Sequence, residues 1–140
     1  MKRPIITENQ IKIPSSQEYL PDVDIFVEGR LAEFGVNESA IADIAISVTE
    51  LVNNAITHGN KSVFEKTVIV DIGKSNSTVE ISVTDEGNGF NPDEVENPID
   101  DKNLLKEVGR GIFITRSLMD KVEFNSRPGR GTKVTIKKHI

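Results

Sequence analysis

Cysteine is absent from the 140 residues, which excludes disulfides, thiolate metal sites and a cysteine nucleophile together. Tryptophan is absent too, and two histidines, His58 and His139, are too few for a His-rich metal cluster. Basic residues are outnumbered, 17 Lys and Arg against 22 Asp and Glu for a net charge of -5, which disfavours nucleic-acid binding through a basic face. No run approaches the roughly 20 apolar residues that span a bilayer, and the N-terminal stretch has no signal-peptide core. The expectation is a cytoplasmic protein with a protein or small-molecule partner, and with neither nucleic acid nor membrane.

What is present suffices for one hydrophobic core. Apolar residues make up 36% and charged residues 28%, with ten glycines and six prolines, so residues 1–140 read as one folded domain. Ile11 and Ile13 alternate with polar neighbours in a first strand, Asn9 to Pro14. Val23, Phe26, Val27, Leu31 and Phe34 recur at helical spacing within Ser15 to Gly35. Asn37 can cap a second helix with a continuous stripe from Ile41 to Ile56, ending at Gly59. Residues 66 to 84 alternate as a hairpin, and Val122, Phe124, Val134 and Ile136 make another around Arg127 to Gly131. Between them, Asn91 to Val108 reads as a long polar loop with at most a short helical turn, followed by a short helix through Ile112, Thr115 and Met119. Runs of helix and runs of strand argue for an α+β two-layer sandwich, its sheet mostly antiparallel and its helices on one face.

Four polar clusters could carry chemistry. Glu50, Asn54 and His58, spaced by four, stack along one helix stripe. The amide oxygen suits Mg²⁺ and the carboxylate suits proton acceptance, although a solvated helix face has the same pattern. Asn53 beside Asn54 is a poor helix former that needs a compensating partner, and His58 suits a structural role better than a catalytic one. Asp85-Glu-Gly87-Asn-Gly89-Phe90 offers a fixed acceptor among glycines, or a tight turn. Gly109-Arg110-Gly111 stands where the loop meets an expected helix N-terminus, suited to phosphate or to a hinge. Gly129-Arg130-Gly131-Thr132 fits a hairpin turn with a hydroxyl opening the last strand.

In this order the clusters resemble the motifs of the GHKL (Bergerat-fold) ATPases, the superfamily of histidine kinases, gyrase B and MutL. Glu50-Leu-Val-Asn-Asn54-Ala-Ile-Thr-His58-Gly-Asn is similar to the N box, Asp85 to Phe90 to the G1 box, Gly109 to Gly111 to the G2 box, and Gly129 to Thr132 to the closing Gly-Thr motif. The length, the His-Gly pair and the segment from Gly111 to Asp120 resemble the small anti-sigma-factor serine kinases of the RsbW and SpoIIAB type, over about residues 9 to 137.

The resemblance implies a Bergerat-type fold that binds ATP and Mg²⁺ under a lid at about 91–108. By that implication Asp85 accepts from the adenine amino group, with Gly87 and Gly89 beside it, and Thr132 holds the base through a water. Asn54 binds Mg²⁺, Gly109 and Gly111 let the backbone approach the phosphates, and Glu50 is the base that activates an acceptor serine. Arg110 stands where an uncharged residue is common, and either touches a phosphate or points away. The implied partners are a STAS-type anti-sigma-factor antagonist, as phosphate acceptor, and a sigma factor, with the kinase a homodimer. A non-catalytic ATP-gated binding switch of the same fold is the alternative.

Overall fold

The computed structural model describes residues 2–87, 103–127 and 129–140. Strand β1 (Ile5–Ile6) lies at the sheet edge against β2 (Gln10–Pro14), with Ile5 opposite Lys12. Two residues carry no legible alternation, so β1 leaves no trace in the sequence pattern. Ser16 caps a 3-10 turn (Gln17–Tyr19) that runs into helix α1 (Leu20–Glu33), where Pro21 sits in the first turn. Helix α2 (Glu38–Asn54) starts at Asn37, whose side chain accepts the Ala40 N–H at 2.9 Å. Beyond Asn54 the helix widens into a π turn (Ala55–Gly59), closed by a 2.8 Å bond from the Asn60 N–H to the Ala55 carbonyl.

Strands β3 (Thr67–Ser75) and β4 (Thr78–Thr84) form the first hairpin, and β5 (Lys121–Arg127) and β6 (Gly131–His139) the second. The sheet order is β1-β2-β3-β4-β6-β5, and each of these neighbours pairs antiparallel. One row of facing residues, Ile11, Val70, Val83, Val134 and Phe124, crosses five strands, and the next, Ile72, Ile81, Ile136 and Val122, crosses four. Both rows point into the core beneath α1 and α2, where Val27, Leu31, Ile44, Val48 and Val52 meet them. Fully burying one such isoleucine is worth about 1.5–3 kcal/mol, which makes the sheet's inner face the main stabilising surface. No helix among the described residues is long and apolar enough to cross a membrane.

Helix α3 (Asn103–Leu118) packs against α2 and starts earlier than the sequence reading places it. Leu104, Leu105, Val108 and Ile112 have helical spacing, but the acid- and proline-rich stretch before them obscures it in the sequence. Gly109 to Gly111 therefore lie inside the helix rather than at its N-terminus, which corrects the expected position of that motif. Gly89 and residues 91–102 of the expected lid lie outside the described residues.

Candidate active site

Asp85 directly follows β4 and is 7% exposed. Its Oδ1 accepts the N–H of Gly87 at 2.9 Å and of Thr132 at 3.1 Å, while its own N–H donates to the Thr132 carbonyl at 3.0 Å. The β4–β6 pairing thus continues past the end of β4 and fixes the carboxylate in place. Among the described residues, Oδ2 accepts no hydrogen bond.

Three backbone segments close around this carboxylate with no room for side chains. A Cβ on Gly59 would overlap Oδ2, one on Gly87 would overlap the Gly59 carbonyl, and one on Gly131 would overlap the Asp85 carbonyl. Gly131 also sits at φ +87°, a conformation that L side chains rarely adopt. The π turn accounts for the first of these contacts, because its wider backbone lays Gly59 against Asp85. Burial pushes the Asp85 carboxyl up from its ordinary value, and the Gly87 and Thr132 N–H groups and the Lys66 charge only partly offset this. Thr132 is buried, and its hydroxyl donates to the Ser126 hydroxyl at 3.4 Å.

The second cluster joins α2 to α3. Glu50 and Asn54 stand one turn apart on α2, and both face Gly111, where an added Cβ would lie 2.9 Å from Asn54 Nδ2 and 3.1 Å from Glu50 Oε2. Glycine at 111 lets α3 close directly over the carboxylate and amide. Thr115, buried one turn on, donates its hydroxyl to the Gly111 carbonyl at 2.8 Å. Asn53 has the partner its helix position requires, since its Oδ1 accepts from Gln17 Nε2 at 2.9 Å. Gly109 is buried, Arg110 is exposed, and His58 is half-buried in the π turn.

The structure therefore brings Asp85, Gly87 and Thr132 into one cluster and Glu50, Asn54 and Gly111 into another. The two are linked by one continuous helical segment: Gly59 lies five positions beyond Asn54, roughly 7 Å at helical rise. One end holds a rigid acceptor beside bare backbone, and the other holds a carboxylate and an amide under a glycine.

The sequence pattern of the histidine kinase-like ATPase domain matches residues 13–138, which takes in both clusters. The chain belongs to that family. This ATPase domain is 24% identical over 137 residues to serine-protein kinase RsbW of Oceanobacillus iheyensis, covering 94% of this chain and 85% of that protein. It is 31% identical over 118 residues to anti-sigma F factor of Clostridium perfringens, covering 83% of this chain and 84% of that protein. These relatives place it in the RsbW and anti-sigma F branch of the family. Its fold matches the crystal structure of the RsbU and RsbW domains of a Mycobacterium tuberculosis protein, with a TM-score of 0.69 and 22% identity, covering 99% of this chain and 32% of that one.

The residues present fit the nucleotide that the ATPase domain implies. Asp85 offers a buried, oriented acceptor whose Oδ2 accepts no hydrogen bond among the described residues, and Gly59, Gly87 and Gly131 let three backbone segments close against it and hold it in place. Among the described residues no three His, Cys, Asp or Glu side chains converge, so a metal here would rest on an amide oxygen and the nucleotide's own phosphates, the manner in which Mg²⁺ binds with few protein ligands.

Sequence reasoning missed Asn60, which is fully buried between the Asp85 loop and the start of β3. Its only signal was a polar residue directly after the helix-ending Gly59, a position where exposed asparagines are common.

Proposed function

We propose that this single domain, residues 1–140, binds Mg·ATP and phosphorylates a serine on a STAS-type anti-sigma-factor antagonist, and that in a second binding mode it sequesters a sigma factor. The observation that carries the reading is the Glu50–Asn54 pair held under Gly111, on the same helical segment whose far end meets Asp85. Asp85 Oδ2 accepts from the adenine amino group, and Thr132 supports the base through a water. Asn54 contributes its amide oxygen to Mg²⁺. Gly87, Gly89, Gly109, Arg110 and Gly111 contribute to binding the nucleotide, with Gly109 and Gly111 toward its phosphates. Bound Mg·ATP supplies the phosphoryl group and neutralises its charge. Phosphoryl transfer requires positioning and electrostatics more than covalent help, which suits so small a set of side chains.

Glu50 orients the acceptor hydroxyl and takes its proton. Glu50 is half-buried one helical turn from Asn54, on the face of α2 that meets Gly111. The domain acts in the cytoplasm as a homodimer. Glu50→Gln tests the assignment, because it keeps the side chain's shape and removes only its basicity: nucleotide affinity stays within about twofold while transfer falls at least 100-fold. Transfer at the wild-type rate in Glu50→Gln would remove Glu50 from the role and favour the ATP-gated binding switch.

A further inference from the structure

Asn60 is joined to the Asp85 site from two directions. Through the chain it follows Gly59, where an added Cβ would overlap Asp85 Oδ2. Through space its Oδ1 accepts the Glu86 N–H at 2.7 Å, and Glu86 is the residue between Asp85 and Gly87. Its Nδ2 donates to the Ser15 hydroxyl at 2.8 Å and to the Thr67 carbonyl at 3.1 Å, and the Ser15 hydroxyl donates on to the Lys66 carbonyl at 2.6 Å. The Glu86 side chain in turn accepts the Thr67 N–H. One amide therefore ties the end of β2, the start of β3 and the loop after β4 to the π turn.

The partners fix the orientation of that amide. A backbone N–H can only donate and a backbone carbonyl can only accept, so the oxygen must face Glu86 and the nitrogen must face Thr67. Aspartate has the same shape but no donor for the Thr67 carbonyl, and an apolar residue would leave the Glu86 N–H without its acceptor. With Asn60 at 0% exposure, water cannot replace either partner.

We propose that Asn60 is a positioning residue for purine recognition: by holding Glu86 and Gly59 at a fixed separation it sets where the Asp85 carboxylate stands, and so how strongly this chain prefers a purine bearing a 6-amino group. The inference rests on the nucleotide-binding reading above and adds a residue to it that does not touch the base. Loss of the Nδ2 anchor to the Thr67 carbonyl and the Ser15 hydroxyl lets the side chain shift, and the Glu86 N–H it holds and the Gly87 N–H that orients Asp85 Oδ1 shift with it. The consequence is a loss of discrimination rather than of phosphate binding.

The test measures dissociation constants of ADP and of purine riboside diphosphate, which lacks the amino group, for the wild-type chain, Asn60→Asp, Asp85→Asn and Ser15→Ala. The wild type prefers ADP, and Asp85→Asn abolishes the preference. Asn60→Asp reduces the preference about tenfold by weakening ADP binding while purine riboside diphosphate binds almost as before, on the scale of a lost buried hydrogen bond. A merely destabilised fold would weaken both ligands equally and leave the ratio intact, and that result would overturn the inference. Should Asn60→Asp fail to fold, Ser15→Ala removes one acceptor of the Asn60 amide and lowers the ratio about threefold; an unchanged ratio there overturns it. A wild-type chain that binds neither ligand, or does not distinguish them, refutes the nucleotide reading itself, whereas discrimination lost in Asp85→Asn but kept in the Asn60 and Ser15 variants refutes only the role of Asn60.

Discussion

Asp85→Asn separates recognition from stability. The substitution keeps the side chain's shape, and Oδ1 still accepts from Gly87 and Thr132 at 2.9 and 3.1 Å. At the Oδ2 position it places an NH₂ donor against the ligand's amino donor. The lost bond is charge-assisted, worth about 1.5–3 kcal/mol, so adenine nucleotide affinity should fall roughly 10- to 150-fold. Stability should move the other way. Burial raises the folded-state carboxyl value, so Asp85 contributes stability only below its unfolded value and loses that contribution as pH rises through the folded one; at neutral pH its ionised form is a cost that asparagine removes. Isothermal titration with ADP and thermal unfolding of the nucleotide-free chain, both at pH 7.5, read the two effects separately, and the variant's unfolding temperature should equal or exceed the wild type's. Unchanged ADP affinity would refute Asp85 as the base acceptor, and a large drop in unfolding temperature would refute the claim that its buried charge is a cost.

Other outcomes follow from the same geometry. Gly111→Ala pushes a methyl toward Asn54 Nδ2 and Glu50 Oε2 but gains about 1 kcal/mol of helix propensity, so unfolding temperature changes little while the Mg²⁺-dependent increment in ATP affinity, measured with and without chelator, shrinks at least fivefold. Because the Asp85 carboxyl is raised, wild-type nucleotide affinity should fall on acidification at a pH above the ordinary aspartate value of about 3.9, and the fall should be missing from Asp85→Asn in a titration series. Asn37→Ala removes the bond to the Ala40 N–H and should cost about 0.5–2 kcal/mol in urea unfolding without changing ADP affinity.

The strands and α2 were legible in the sequence because their signals are periodic and local. Val68, Val70 and Ile72 alternate, as do Val79, Ile81 and Val83, and the Asn37 cap is a single-residue signature. The residues of both clusters were legible as polar groups interrupting those periods. Three features were not. Strand β1 is too short to show a period, the start of α3 lies against an acidic stretch that hides Leu104 and Leu105, and the π turn is a backbone change with no side-chain signature. Asn60 was illegible for a different reason: its hydrogen bonds reach Ser15, 45 residues away, and Glu86, 26 residues away, so its burial is a property of the folded chain alone. Gly111 read as a phosphate-approach glycine at a helix start, whereas its described contacts are with Glu50 and Asn54 from inside the helix.

Intact-mass spectrometry of a STAS-type protein from the same organism, incubated with this chain and Mg·ATP, tests the central claim most directly. The wild-type chain should add one phosphate to a serine, and Glu50→Gln none. A wild-type chain that binds ATP and leaves every such partner unmodified, while gripping a partner in a nucleotide-dependent way, would contradict the kinase assignment and identify the domain as an ATP-gated binding module.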